Sequence, residues 1–158
     1  MKEGDFVDFE LKDQDKEVVK LSDFNSNWIV IYFYPKDDTP GCTIEAIDFT
    51  NLKDDFAKLD ATVLGISKDS CESHKNFESK QKLTIRLLSD PDSEVQKKFG
   101  VWRLKSFMGK ESMGTLRSTF LLDKNKKVVK VWESVNPLGH AKEVLETIGS
   151  LGSQNGQK

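Results

Sequence analysis

The sequence predicts an α/β domain with a mixed central β-sheet flanked by helices. Three observations carry this. A continuous β-branched and aromatic run, Trp28 to Tyr34 (WIVIYFY), reads as a central strand buried on both faces. Apolar runs and helical patterns alternate after it, the order expected of a sheet covered by helices. Near the C-terminus two strand-like runs flank a polar DKNKK turn, which adds an antiparallel hairpin. The 158 residues suit one domain with a single core. Residues 1–150 are assigned to it and 151–158 to a disordered tail.

The elements follow in order. Phe6, Phe9 and Leu11, then Val18, Val19 and Leu21 across a polar turn, predict an N-terminal β-hairpin. After the strand Trp28–Tyr34, a helix is expected from about Thr43, with Phe49, Leu52, Phe56 and Leu59 on one face. Ala61–Ile66 is a second buried strand. Asp69–Lys82 is helical, with Asp69 or Ser70 as N-cap. Ile85–Leu88 is a third strand, Glu94–Phe99 a short helix, and residues 102–116 an irregular segment. Ser118–Leu122 and Val128–Trp132 form the late hairpin. A final amphipathic helix follows Gly139, and the Gly/Ser/Gln-rich end from Gly149 is expected to fray.

Composition excludes several classes. Net charge is −2, and no basic stripe marks a nucleic-acid binder. No apolar run is long enough to span a membrane, and the N-terminus lacks a signal core. The expectation is a soluble cytoplasmic protein. Two cysteines do not make a disulfide scaffold.

One of them, Cys42, stands in YFYPKDDTPGCTIEA. It follows the carboxyl end of the most apolar strand, where α/β sheets place their sites. Pro40 and Gly41 precede it, so first-turn N–H groups can point at the sulfur. A helix N-terminus favours an anion and lowers a thiol pKa. Ionisation alone is insufficient. Converting a thiol that is a few per cent thiolate to full thiolate gains about 30-fold, whereas enzymes supply about a million-fold or more. Groups that stabilise developing charge are therefore required. Thr39 and Glu45 lie three residues either side of the sulfur, and Lys36 is the only local cation.

Familiar cysteine chemistries fail on spacing. A Cys-x-x-Cys pair would need cysteine where Glu45 stands. A phosphatase loop would need arginine at Asp48. His74 and His140 have no spacing that argues for a protease base, and read as helix-end residues. A zinc site would have to use both cysteines and both histidines without the usual close pairs. A thiolate that attacks a small electrophile remains.

YPKDDTPGCTIEA resembles the active-site segment of peroxiredoxins, and most closely the bacterioferritin comigratory protein (BCP)/PrxQ subfamily. The resemblance continues through LSDF, LGISKDS, SHKNF, LLSDP, MGTLRSTFLLD and GHAKEVL, over residues 4 to about 148. It implies a thioredoxin-like fold and reduction of hydrogen peroxide and alkyl hydroperoxides, an antioxidant activity with no cofactor or metal. It implies that Cys42 is the peroxidatic cysteine and passes through a sulfenic acid. Thr39 would hydrogen-bond the thiolate and the peroxide. Arg117 would supply the distant cation, Glu45 would orient it, and Pro35 would shield the sulfur. A monomer or weak dimer is implied, with thioredoxin, glutaredoxin or a low-molecular-weight thiol as reductant.

The pattern departs at the resolving cysteine. The two familiar positions hold Ile47 and Glu78. Cys71, in KDSCESH, is left as a possible resolving cysteine, a bystander, or a partner in an intermolecular disulfide. Trp102, Phe107, Met108 and Met113 are expected as an apolar wall beside the site or as plain packing. Arg86 and Arg103 read as surface residues.

Overall fold

A computed structural model describes residues 1–155, apart from the side chains of Phe107 and residues 153–155. The N-terminal hairpin is β1 (Glu10–Asp13) and β2 (Val18–Lys20). The central strand is β3 (Trp28–Phe33), with all six residues buried. Then come α1 (Pro40–Asn51), α2 (Lys53–Lys58), β4 (Ala61–Ser67), α3 (Cys71–Gln81), β5 (Arg86–Ser89) and α4 (Glu94–Phe99). The chain closes with β6 (Trp102–Phe107), β7 (Lys110–Thr115), β8 (Ser118–Asp123), β9 (Val128–Trp132) and α5 (His140–Asn155).

Seven strands form one mixed sheet in the order β2-β1-β5-β4-β3-β8-β9. β3, β4 and β5 are parallel, while β8 runs antiparallel to β3. Residues alternate across β3. Val30, Tyr32 and Tyr34 meet Phe49, Phe56, Phe77, Val144 and Ile148, so α1, α2, α3 and α5 cover that face. Ile29, Ile31 and Phe33 meet Phe9, Val95 and Phe99, so α4 and the N-terminal segment cover the other.

Antiparallel pairing at β8 positions the site. Ser118, which begins β8, pairs with Phe33, which ends β3. Arg117 therefore emerges beside the point where the chain leaves β3 towards Cys42. A parallel strand would have delivered it to the opposite end.

Four expectations are corrected. The first helix starts at Pro40, three residues earlier than Thr43, because proline's fixed φ suits the first helical position, where its missing N–H costs nothing. It is two helices, since Leu52 departs from helical geometry (ψ 6°). Residues 102–116 are mostly a two-stranded ribbon, β6 paired with β7. Its turn residues Met108 and Gly109 both have positive φ (53° and 80°), the tight-turn geometry that matches strand twist. The ribbon stands outside the main sheet, and its tip shows no alternation of buried and exposed residues. Finally, α5 continues to Asn155, so 151–155 of the expected tail are helical. Residues 156–158 lie outside the described residues.

Candidate active site

Cys42 is the third residue of α1 and only 1% exposed. Its environment is set by where the helix begins. Thr39 is extended (φ −92°, ψ 156°) and its carbonyl accepts the Thr43 N–H at 2.8 Å. The Thr39 hydroxyl donates to the Lys36 carbonyl at 2.8 Å, and it makes no cap bond to the helix. Its proton is thus committed within the loop rather than to the sulfur. Pro35 is exposed at the start of that loop.

Arg117 reaches the sulfur from the strand start. One guanidinium nitrogen donates to Cys42 Sγ at 3.2 Å, and the other to Glu45 Oε1 at 2.8 Å. Its backbone is held by the Val135 N–H donating to the Arg117 carbonyl at 2.9 Å. Gly41 makes the approach possible. A Cβ there would lie 3.3 Å from Arg117 Nη2 and 3.4 Å from Pro137 Cγ. Burial opposes the guanidinium charge, but the facing Cys42 and Glu45 outweigh it and raise the Arg117 pKa.

Glu45 lies one turn further along α1 and is fully buried. Burial pushes its carboxyl up to about 7, and the Arg117 charge only partly opposes this. Its Oε2 has no hydrogen-bond partner, and neither has the nearby Tyr32 hydroxyl. Tyr32 stacks on Phe49 with ring centroids 4.6 Å apart. Its phenol rests on bare Gly65 backbone, where a Cβ would come within 2.8 Å. Burial, then the Glu45 and Cys42 charges, raise the Tyr32 pKa.

Two further residues border the site: His140, read as a helix-end residue and the first residue of α5, and Lys105, which the sequence did not single out. His140 sits under the site, facing Thr119 Oγ1 at 2.8 Å and Glu143 Oε1 at 3.0 Å. Burial lowers its pKa, and the Arg117 charge adds to this. Lys105 extends from β6 across Gly114, where a Cβ would lie 3.1 Å from its Cδ. Partial burial and the Arg117 charge lower the Lys105 pKa, while Cys42 opposes. The glycine in MGT is the only sequence signal for that placement.

A second cluster lies on the other side of the loop. Asp37 is buried and accepts from the Tyr34 hydroxyl at 2.6 Å and the Ser73 hydroxyl at 2.8 Å. His74 Nδ1 faces the same carboxylate at 2.7 Å. The expectation of a helix-end histidine holds only for position, because His74 is fully buried.

Cys71 is the first residue of α3 and half-buried. It lines a cavity of about 360 Å³ with Leu11, Lys12, Val18, Ser89 and Pro91. Both cysteines are free thiols. Met108 and Met113 do not wall the site: they are 87% and 49% exposed on the ribbon. The Phe107 side chain lies outside the described residues. Trp102 lies beneath the Lys68 ammonium, 5.4 Å from its ring centroid. Arg86 pairs with Asp13 at 3.5 Å and Arg103 with Glu133 at 3.2 Å. No helix among the described residues is long and apolar enough to cross a membrane.

A thiol at a helix head, met by a guanidinium on a mixed sheet, defines a class: thiol chemistry on a thioredoxin-like fold. Comparison with known proteins narrows it. The AhpC/TSA family profile matches residues 4–131. Peroxiredoxin Bcp of Bacillus subtilis is 47% identical over 144 residues, covering 91% of this chain and 92% of that protein. The structure of the Xanthomonas campestris bacterioferritin comigratory protein, described for its alkyl peroxide reduction activity, superposes with TM-score 0.87 at 40% identity, covering 91% of this chain and 92% of the other. A PrxQ variant from Xylella fastidiosa gives TM-score 0.90 at 38% identity, covering 95% and 96%. The chain belongs to the AhpC/TSA family, as a peroxiredoxin of the Bcp/PrxQ kind. It is an enzyme, a thiol peroxidase.

Proposed function

We propose that Cys42 is the thiol that attacks the peroxide, and that an external thiol restores it. The observation that carries this is the Arg117 guanidinium, which donates at once to Cys42 Sγ and to Glu45. The Cys42 thiolate attacks one oxygen of hydrogen peroxide or an alkyl hydroperoxide. The O–O bond breaks, the sulfur becomes a sulfenic acid, and the leaving oxygen departs with a proton as water or alcohol. Arg117 stabilises both the thiolate and the oxygen that gains charge. Glu45 fixes the plane of the guanidinium. The Thr39 hydroxyl turns from the Lys36 carbonyl to meet the peroxide, and Pro35 limits water at the loop.

Recycling by an external thiol is favoured over a bridge to Cys71. The strands lining the Cys71 cavity, β5 and β1, stand two and three places from β3. A disulfide requires Cα atoms within about 7 Å, whereas the two thiols are free and in separate surroundings, Cys42 against Arg117 and Cys71 in this cavity. A first reductant thiol condenses with the sulfenic acid, releasing water. A second displaces Cys42 and leaves as the reductant disulfide. Thioredoxin, glutaredoxin or a low-molecular-weight thiol in the cytoplasm fits this chemistry. Stopped-flow mixing with hydrogen peroxide tests the reading: Cys42→Ser is expected to be inert, and retained turnover overturns it.

A further inference from the structure

We propose that His74 and Asp37 form a positioning latch, which sets the loop between β3 and α1 and so the place of Cys42 relative to Arg117. This rests on the reading of Cys42 as the peroxide-reacting thiol.

The loop from Pro35 to Thr39 is held by α3 at two successive residues. At Asp37, the carboxylate accepts the Tyr34 and Ser73 hydroxyls and faces His74 Nδ1, while its backbone N–H donates to Asp69 Oδ2 at 2.8 Å. Asp69 is in turn fixed by the Ser67 hydroxyl at 2.6 Å. At Asp38, the carboxylate accepts from Lys80 Nζ at 2.5 Å and Gln81 Nε2 at 3.2 Å. Asp38 also has φ 59°, a left-handed conformation that a non-glycine residue keeps only where its surroundings over-determine it. Thr39 and the first turn of α1 follow directly.

His74 makes the grip rigid. It is fully buried and spans two elements, with Nδ1 on Asp37 and Nε2 facing the Leu88 carbonyl of β5 at 2.9 Å. A buried, hydrogen-bonded polar pair is a poor source of stability, because apolar groups of the same shape commonly do as well. What such a network supplies is a fixed geometry. Nor is it a cation cage. The ligand atoms of Asp37, Asp69 and His74 lie within 4.8 Å of one another, but each is already engaged in the hydrogen bonds above. The register of the Cys42 loop is what all these bonds converge on. A displacement of about 1 Å at a reacting centre can cost about 100-fold in rate.

Two isosteric substitutions separate the latch from general stability. An asparagine amide can occupy the Nδ1 side of a histidine, and a glutamine amide the Nε2 side. His74→Asn therefore retains the link to Asp37, and His74→Gln retains only the anchor on Leu88. The second-order rate of Cys42 oxidation by hydrogen peroxide is measured by stopped flow, with hydrogen exchange at Gly41 to Thr43 and thermal unfolding alongside. His74→Gln is expected to slow oxidation about tenfold and to speed exchange in the first turn of α1. His74→Asn is expected to stay within about threefold of wild type. Equal rates in the two folded variants, or losses that follow only their melting temperatures, overturn the latch. Should either fail to fold, Ser73→Ala removes one donor to Asp37 without touching His74. It is expected to slow oxidation about threefold with faster exchange, and no change in either overturns the proposal. A wild-type protein that ignores peroxide refutes the reading of Cys42 instead.

Discussion

Both cysteines stand in the first turn of a helix, at the same end of the sheet, yet their surroundings have little in common. Cys42 is sealed from solvent and faces Arg117, itself held by a buried carboxylate. Cys71 is half-buried, and the ion pair beside it, Lys16 with Glu72 at 2.9 Å, is two-thirds exposed on both sides. Water screens such a pair to near irrelevance. A helix head thus places a sulfur among N–H donors in both cases. What separates the two is a cation largely withdrawn from solvent, with its side chain 16% exposed, where water screens its charge less.

The sharpest way to break that contrast is to remove the cation. Arg117→Ala is expected to slow Cys42 oxidation by about 100- to 1,000-fold, the scale of losing one preorganised donor. Circular dichroism should show the fold intact. Arg117→Lys should recover only part of the rate, because an ammonium cannot bridge sulfur and carboxylate in one plane.

Glu45→Gln probes the same site with a smaller effect, about tenfold on peroxide oxidation above pH 7. Its signature is the pH dependence of stability. Burial raises the carboxyl from an ordinary 4.5 to about 7 in the folded protein. Between those values the folded chain keeps a proton that the unfolded chain releases. Stability therefore falls as pH rises from about 4.5 to about 7, then levels off. The variant lacks this slope, so its melting temperature should gain on wild type from pH 5 to pH 8. A gap that does not change with pH would contradict a carboxyl held protonated by burial.

The smallest effect is expected at the other cysteine. Cys71→Ser should leave the peroxide oxidation rate within about twofold, since its sulfur lines a separate cavity. Mass spectrometry of peroxide-treated protein should show sulfinic acid accumulating on Cys42. A species lighter by two hydrogens, joining Cys42 to Cys71, would erase the distinction between the two.

How much of this was legible in the sequence depends on the range of the interaction. The run WIVIYFY announces a buried strand because burial on both faces needs no partner pattern to be read. Cys42 and Glu45 are three residues apart in α1, so helix geometry alone sets both on the side that Arg117 meets, with Thr39 just before the helix. Arg117 is 75 residues from Cys42. Only the family resemblance pointed to it, because no local pattern states which strand lies beside which. Asp37 and His74 were illegible for another reason. Asp37 stands in a polar turn and His74 in a polar helix, and only the packing of α3 against the loop buries the two together. The β6–β7 ribbon was missed because a strand pair outside the main sheet lacks the alternation that burial imposes.

The antiparallel placement of β8 has a further consequence during synthesis. A growing chain that ends before residue 117 already holds β3, α1 and the sulfur, but not the guanidinium that meets it. Domains emerge N-terminal end first and non-local pairings close late. The contact between Arg117 and the sulfur therefore forms only once β8 has docked against β3.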